Sequence, residues 1–340
     1  MNRDEFNFFR TNGYYPYPKI IQIEITKACP FACKQCYKPQ NGNVHMDYEQ
    51  LKNFLLEIHG KCHDISLNGG EPLIYPHIYD LLNLIRELGF NTYLYSSGYG
   101  VDKDLCSLID ENRNLHFYVS LNGSTEEING LSRQGYESAI EAIETMTEEC
   151  VDFSIVWVAR HDNVRDFSNI IDLAFYYNIP YISVISNRLT GNGYIDSPLT
   201  KEDLEILAEI VRQKEARKPY ILIDNCFSDL IVELQDYMKG IPMKCVAGIS
   251  RCTVNSDFTY QPCTHLNYPE HFNNIEDYWN YSEILKKIRN HDYKDGGLCN
   301  SCSHNKRCFP CRAANLAIYK NLDGYINECV SYLSDGRTMR

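Results

Sequence analysis

Two hydrophobic periods alternate along the chain. Lys19 to Thr26 repeats every second residue, with Ile21, Ile23 and Ile25 on one side and Gln22 and Glu24 on the other, which predicts a strand. Asp47 to Ile58 places Leu51, Phe54, Leu55 and Ile58 three and four residues apart, which predicts a helix. The same exchange of periods then recurs. Strands are predicted over Asp64–Leu67, Asn91–Tyr95, Leu115–Leu121, Phe153–Val158 and Tyr181–Ile185, and helices over Ile78–Leu88, Lys103–Glu111, Tyr136–Glu149 and Arg165–Tyr177. Six strand–helix repeats imply parallel strands with helices outside, and right-handed crossovers curl such a sheet into a barrel or partial barrel. Ligands in such folds sit at the C-terminal strand ends. Thr200, followed by Glu202 and Asp203, caps one more helix, with Leu204, Leu207, Ile210 and Val211 on its apolar face.

This pattern divides the chain into a polar and aromatic lead-in at 1–18, a barrel at 19–222, a bridge at 223–244, a cysteine-rich part at 245–333 and a tail at 334–340. With 340 residues, 44% of them hydrophobic, a full core is affordable. The formal net charge of −12 gives no electrostatic footprint for nucleic acid. The N-terminus has no apolar stretch behind its charges, so no signal peptide is read there, and no apolar run reaches the ~18 residues of a membrane span. A cytoplasmic location is the expectation. Fifteen cysteines then point to metal or catalysis rather than disulfides, which are rare in that compartment. Cys62, Cys106, Cys150 and Cys226 are scattered between two clusters and read as ordinary small hydrophobes.

The first cluster is Cys29, Cys33 and Cys36, spaced C-x3-C-x2-C directly after the first strand. Thiolates suit zinc and iron–sulfur groups; zinc usually takes a second Cys or His pair close by, which is missing here. A cubane on three thiolates leaves one iron without a protein ligand, open to a substrate or cofactor. Asn68-Gly69-Gly70-Glu71-Pro72 follows the second strand, a turn that brings backbone close to a ligand. Together these stretches resemble the cluster loop and the G-G-E-P motif of the radical S-adenosylmethionine (radical SAM) enzymes. The position before the third cysteine, usually aromatic in that family, is Gln35.

The resemblance implies a (β/α)6 partial TIM barrel, one [4Fe-4S] cluster on Cys29, Cys33 and Cys36, and SAM on its open iron. It further implies SAM contacts from Tyr37, Gly69, Gly70, Glu71, Pro72 and Ser97. Ser120-Leu121-Asn122-Gly123 looks like the family's S-x-D-G turn, with Asn122 for the acid, and Arg133 matches an arginine that reaches the SAM carboxylate. A solvated surface charge is the plainer reading of Arg133. Arg188 to Gly193 looks like a P-x-G-R-G-type loop lacking its proline and arginine, and reads equally as a plain turn.

The second cluster comprises Cys245, Cys252, Cys263, Cys299, Cys302, Cys308, Cys311 and Cys329. Its C-x2-C-x5-C-x2-C core reads alone as a zinc ribbon or an iron–sulfur site. As a whole it is similar to the SPASM extension of radical SAM peptide and protein maturases, with Phe258 at a usual glycine and one spacing shortened by a residue. By position, that likeness assigns Cys245, Cys252, Cys263 and Cys311 to one auxiliary cluster and Cys299, Cys302, Cys308 and Cys329 to another, three [4Fe-4S] groups in all.

The implied function is that of a maturase that takes hydrogen from a ribosomally made peptide and installs a thioether or carbon–carbon crosslink. Alternatives are a sulfatase-maturating type of protein oxidase, a peptide epimerase, an oxidoreductase acting on a small molecule, and a non-catalytic electron carrier or zinc scaffold. Thr264-His265 stands where sulfatase-maturating relatives carry an aspartate, which disfavours that reaction and makes His265 the candidate base. A structural histidine is the competing reading. The implied partners are a precursor peptide and an electron donor such as flavodoxin or ferredoxin; with only a short lead-in before the first strand, a leader is expected to be recognised by the catalytic body or by a separate leader-binding protein.

Overall fold

The computed structural model describes residues 3–38, 42–187, 190–194, 199–214, 218–224 and 245–290, with 226–227, 230, 234, 311–313 and 316. Cys299, Cys302, Cys308, Cys329 and the 334–340 tail lie outside the described residues. The barrel strands are β1 (Ile20–Thr26), β2 (Asp64–Gly69), β3 (Asn91–Ser96), β4 (Leu115–Ser120), β5 (Ser154–Ala159), β6 (Tyr181–Ser186) and β7 (Tyr220–Ile223). Between them run α2 (Tyr48–Ile58), α3 (Ile78–Leu88), α4 (Lys103–Glu111), the short α5 (Glu126–Gly130), α6 (Tyr136–Glu148), α7 (Phe167–Tyr176) and α8 (Lys201–Gln213). The lead-in contributes a helix, α1 (Arg3–Asn12), with no buried residue.

The fold is α/β with a largely parallel sheet, a partial barrel as expected, and it is wider than six strands. Among the described residues the order is β7-β6-β5-β4-β3-β2-β1-β8-β9, where β8 is Arg251–Val254 and β9 is Tyr260–Gln261. β7 extends one edge in parallel with β6, and β8 extends the other in parallel with β1; β9 returns antiparallel. The first part of the cysteine-rich region is therefore a strand of the barrel sheet, followed by α9 (Ile275–Tyr281) and α10 (Glu283–Asn290).

Alternation along β1 has an unexpected meaning. Ile21, Ile23 and Ile25 are fully buried with Leu51, Leu55 and Ile58 of α2 in the layer between sheet and helices. The opposite face, Gln22 of β1 with Ser66, Tyr93, Tyr95, Ser120 and Ser183 of its neighbours, lines a lumen of about 540 Å³. A closed barrel fills that space with branched apolar side chains; here polar and aromatic residues of β1 to β4, with Val156, Val158 and Ile185 of β5 and β6, enclose a cavity. No described helix is long and apolar enough to cross a membrane.

Candidate active site

The C-terminal ends of β1 to β4 converge on one mouth of this cavity. Cys29, Cys33 and Cys36 line it together with Tyr37, Gly69, Gly70, Glu71, Ser97, Ser120, Arg133 and His265. Steric need explains the two glycines. A Cβ on Gly69 would lie 2.3 Å from the Thr26 carbonyl oxygen, and one on Gly70 would lie 2.0 Å from that of Ala28. Their closeness is held by backbone bonds from Gly70 N–H to Thr26 O and from Glu71 N–H to Ala28 O, both 2.8 Å. The turn and the cysteine loop are thus one unit.

Glu71 is 1% exposed, and its carboxylate is occupied within the protein. It accepts from Ser96 Oγ (2.8 Å), Ser97 N–H (2.7 Å), Ser97 Oγ and Leu73 N–H (3.1 Å). Burial raises its pKa, against the pull of these donors. The Glu71 side chain therefore fixes the β2 and β3 loops against each other, and Ser97 spends its hydroxyl on the same bond. Pro72 does not line the cavity; it begins a one-turn 3-10 helix, Pro72–Ile74, that Glu71 caps.

Asn122 also falls outside the cavity lining, against the expectation of a direct contact. It is 1% exposed and fully committed: its N–H donates to Asn129 Oδ1 (2.9 Å), its Nδ2 to Ser132 Oγ (2.9 Å), and its Oδ1 accepts from Val158 N–H (3.2 Å). An amide replaces the usual acid because both a donor and an acceptor are needed here. Asn122 thereby sets the segment 132–135 against the cysteine loop. Gln35 N–H donates to Ser132 O (3.2 Å), Ala32 N–H to Gln134 Oε1 (2.8 Å), and Gln134 N–H to Cys33 Sγ (3.4 Å). Arg133 sits in that segment, facing the cavity, and its Nε is buried with no hydrogen-bond partner among the described residues. The side chain as a whole is half-buried.

The three cysteines are half-buried. Desolvation raises the Cys29 thiol to about 11 and raises Cys36 as well, while Cys36 Sγ donates to Lys38 O (2.7 Å). Such thiols stay protonated until a metal displaces the proton. Among the described residues no three His, Cys, Asp or Glu side chains stand close enough to share one ion. Thiols spread around a cavity suit a group in which each takes its own iron, and the unpartnered Arg133 Nε suits an anionic group beside it.

From the opposite side come the loop after β6 and the β9 hairpin. Asn192 N–H donates to Cys36 O (2.8 Å), and Gly191, at φ +61°, leaves no room for a Cβ, which would lie 2.3 Å from Tyr37 O. Burial pushes the Tyr37 hydroxyl up to about 12, and its ring meets His265 at 4.5 Å between centroids. His265 Nδ1 lies 3.3 Å from Thr190 Oγ1.

The second group of cysteines is placed differently from the expectation. Cys245, Cys263 and Cys311 line one small cavity, and the fourth cysteine there is Cys226. Burial pushes Cys245 up to about 11, reinforced by the Cys311 thiol beside it. Cys252 is elsewhere. It is fully buried in the main core, and its nearest ionisable influences after burial are Cys62 and Arg289. The reason is strand alternation: Arg251 faces the lumen, so Cys252, the next residue, faces the helix layer. Cys226 carried no spacing signal that could have marked it.

Residues 23–174, which hold the cysteine loop, the glycine turn and Arg133, match the model of the Radical SAM superfamily. They form a radical SAM domain. Around this domain the whole chain resembles Streptococcus suis SuiB bound to its precursor peptide SuiA, at 19% identity and a TM-score of 0.78, over 97% of this chain and 79% of that one. It also resembles anSMEcpe with bound AdoMet and the Cp18Cys peptide, at 16% identity and a TM-score of 0.68, over 93% and 95% of the two chains. At these identities the structural likeness establishes the fold. In sequence the chain is 22% identical over 322 residues to the AdoMet-dependent heme synthase of Methanosarcina barkeri (strain Fusaro / DSM 804), covering 87% of this chain and 91% of that protein.

Proposed function

We propose that the radical SAM domain serves a peptide maturase, which takes a hydrogen atom from a ribosomally made peptide and closes a thioether or carbon–carbon crosslink. The observation that carries this reading is the joint cavity of Cys29, Cys33, Cys36, the glycine turn and Arg133, whose buried Nε has no hydrogen-bond partner among the described residues. In this reading Cys29, Cys33 and Cys36 hold a [4Fe-4S] cluster and Arg133 pairs with the SAM carboxylate. The backbone of Gly69 and Gly70 lies against the SAM amino end. Bound there, cluster and SAM supply reductive cleavage of SAM and hydrogen-atom abstraction by the resulting 5′-deoxyadenosyl group.

The protein's own work is to orient and to exclude water. In this reading Ser120, Tyr95 and the other lumen residues would face the substrate segment, and His265, whose ring meets that of Tyr37, would take the proton that crosslinking releases. Cys226, Cys245, Cys263 and Cys311 are proposed to hold an auxiliary cluster in a SPASM-like extension; Cys252 is not among its ligands. Cys299, Cys302, Cys308 and Cys329 would complete a second, giving about twelve irons per chain. The peptides present in the SuiB and anSMEcpe structures support a peptide substrate. An external flavodoxin or ferredoxin would supply the first electron.

The test is anaerobic reconstitution, reduction and addition of SAM, followed by chromatography for 5′-deoxyadenosine and mass spectrometry of peptides co-expressed from neighbouring genes. A peptide lighter by two hydrogen atoms is the expected product. Failure to release 5′-deoxyadenosine would end the reading. The length of the match to the heme synthase favours one second reading, an oxidoreductase acting on a small molecule. Deuterium transfer into 5′-deoxyadenosine from a labelled tetrapyrrole, and not from labelled peptide, would decide for it.

A further inference from the structure

We propose that Arg251 raises the reduction potential of the group held by Cys226, Cys245, Cys263 and Cys311, fitting it to accept the electron that leaves the substrate; this rests on the cluster reading above. Arg251 opens β8 and stands in a wall common to two cavities. On one side it lines the lumen near Tyr93, Tyr95 and Asp224; on the other it lines the thiol cavity. Its Nε is buried and has no hydrogen-bond partner among the described residues. A buried guanidinium nitrogen without a partner favours an anion nearby.

Charged groups stand on both of its sides. Asp224 lies on the lumen side, and Tyr95 feels the fields of both Arg251 and Asp224. On the thiol side the other described cation is Arg312, whose Nη2 donates to Ile288 O (3.0 Å) and whose charge lowers the Cys245 pKa. Four thiolates around an iron–sulfur core leave it anionic, and reduction adds one further negative charge. A cation in the wall stabilises the reduced form more than the oxidised form, which raises the potential.

The chemistry balances. The substrate carbon has already surrendered a hydrogen atom to the 5′-deoxyadenosyl group. Closing the new bond releases one proton, to His265, and one electron, which takes the auxiliary cluster from its oxidised to its one-electron-reduced state.

The experiment is a redox titration followed by electron paramagnetic resonance on anaerobically reconstituted protein in which Cys29, Cys33 and Cys36 are all alanine, so that only auxiliary signals are read. Arg251→Gln is expected to move the midpoint of one auxiliary signal downward with iron per chain unchanged, and Arg251→Lys to restore it. Arg251→Met carries the same readout where the glutamine variant does not fold. An unmoved midpoint at full iron content overturns the proposal, as does iron loss in the neutral variants that lysine does not mend, since Arg251 would then be structural. If the double variant Cys226→Ala/Cys245→Ala keeps all its iron, the cluster reading fails instead, and the iron assay tells the two failures apart.

Discussion

Replacing Gly70 with alanine tests whether the glycine turn and the cysteine loop act as one unit. The added methyl would meet the Ala28 carbonyl oxygen at 2.0 Å, its carbon at 2.5 Å and Cys29 Cβ at 2.9 Å. Two of these atoms are backbone, so no side-chain rotation relieves the clash. Turn and loop must separate by more than about 1 Å to restore ordinary contact. That breaks the bonds from Gly70 N–H to Thr26 O and from Glu71 N–H to Ala28 O. At about 1 kcal/mol net each, with some added strain, the loss is about 2–3 kcal/mol of stability. Because the same displacement moves Cys29 away from the turn, SAM affinity should fall by roughly 30- to 150-fold if all of it is charged to binding. Equilibrium dialysis with SAM on the reconstituted protein and urea unfolding read the two effects separately. Gly130→Ala is the control: it ends α5, has open space around it, and should be neutral or stabilising by up to ~1 kcal/mol. A G70A protein that binds SAM within about twofold of wild type and unfolds at the same urea concentration would refute the reasoning.

Further outcomes follow from the same geometry. Arg133→Met should weaken SAM binding by about 10- to 150-fold, the worth of a charge-assisted bond of ~1.5–3 kcal/mol, with iron content preserved; calorimetric titration checks it. The double variant Cys226→Ala/Cys245→Ala should cost about four irons per chain, while Cys252→Ala should keep all iron and lower stability by about 1–2 kcal/mol through the small void it leaves. Thr200→Ala should cost about 1 kcal/mol in urea unfolding, because it removes a reciprocal cap in which Asp203 N–H donates to Thr200 Oγ1 and Thr200 N–H to Asp203 Oδ2. The Asp203 carboxyl is desolvated, yet its donors, Thr200 N–H and Oγ1 with His161, hold its pKa below the ordinary 3.8. Its contribution is therefore complete above about pH 4 and is lost as pH falls through the depressed value, so wild type and Asp203→Asn should converge in stability at strongly acid pH.

Much of the barrel could be read from periodicity, because each strand and helix of a parallel α/β unit is locally patterned. Ile78–Leu88 and Lys103–Glu111 run over the predicted residues, and the other repeated elements differ by a residue or two at their ends. Pairing at the edges could not be read. β8 joins β1 across more than two hundred residues of chain, and a four-residue strand leaves too short a pattern to declare itself. Chemistry was legible where residues adjacent in sequence share a site, as in Cys29 to Tyr37 and Gly69 to Glu71. Where the fold supplies the partner it was not: Asn122 matches a motif by position and yet serves as a bracket for Ser132, while Gln134 holds the cysteine loop from 101 positions away without belonging to any motif. Spacing placed Cys252 among the ligands, although one step along the same strand, at Arg251, alternation assigns it to the other face.

The pairing of β8 with β1 bears on how the two cysteine sites communicate. An appended domain would move relative to the barrel, and the distance between its thiols and the radical SAM domain would vary. Here the C-terminal region begins as a strand hydrogen-bonded in register, Ile20 to Arg251 through Ile23 to Val254. The cysteine loop is tied to that same hairpin: Lys38 pairs with Glu24, which also accepts from Ser256 Oγ (3.1 Å), and Lys38 Nζ donates to Asn255 Oδ1 (3.2 Å). Glu24 is 2% exposed, so the pair is desolvated, and losing either partner would leave a buried charge uncompensated. Arg251, Cys226, Cys263 and His265 then line both cavities from a single wall. Cys263, just past β9, is thereby carried on the same sheet as the loop of Cys29, Cys33 and Cys36. A strand with an arginine on the lumen face and a cysteine on the other fixes that wall, because Arg251 lines it while Cys252 anchors it in the core.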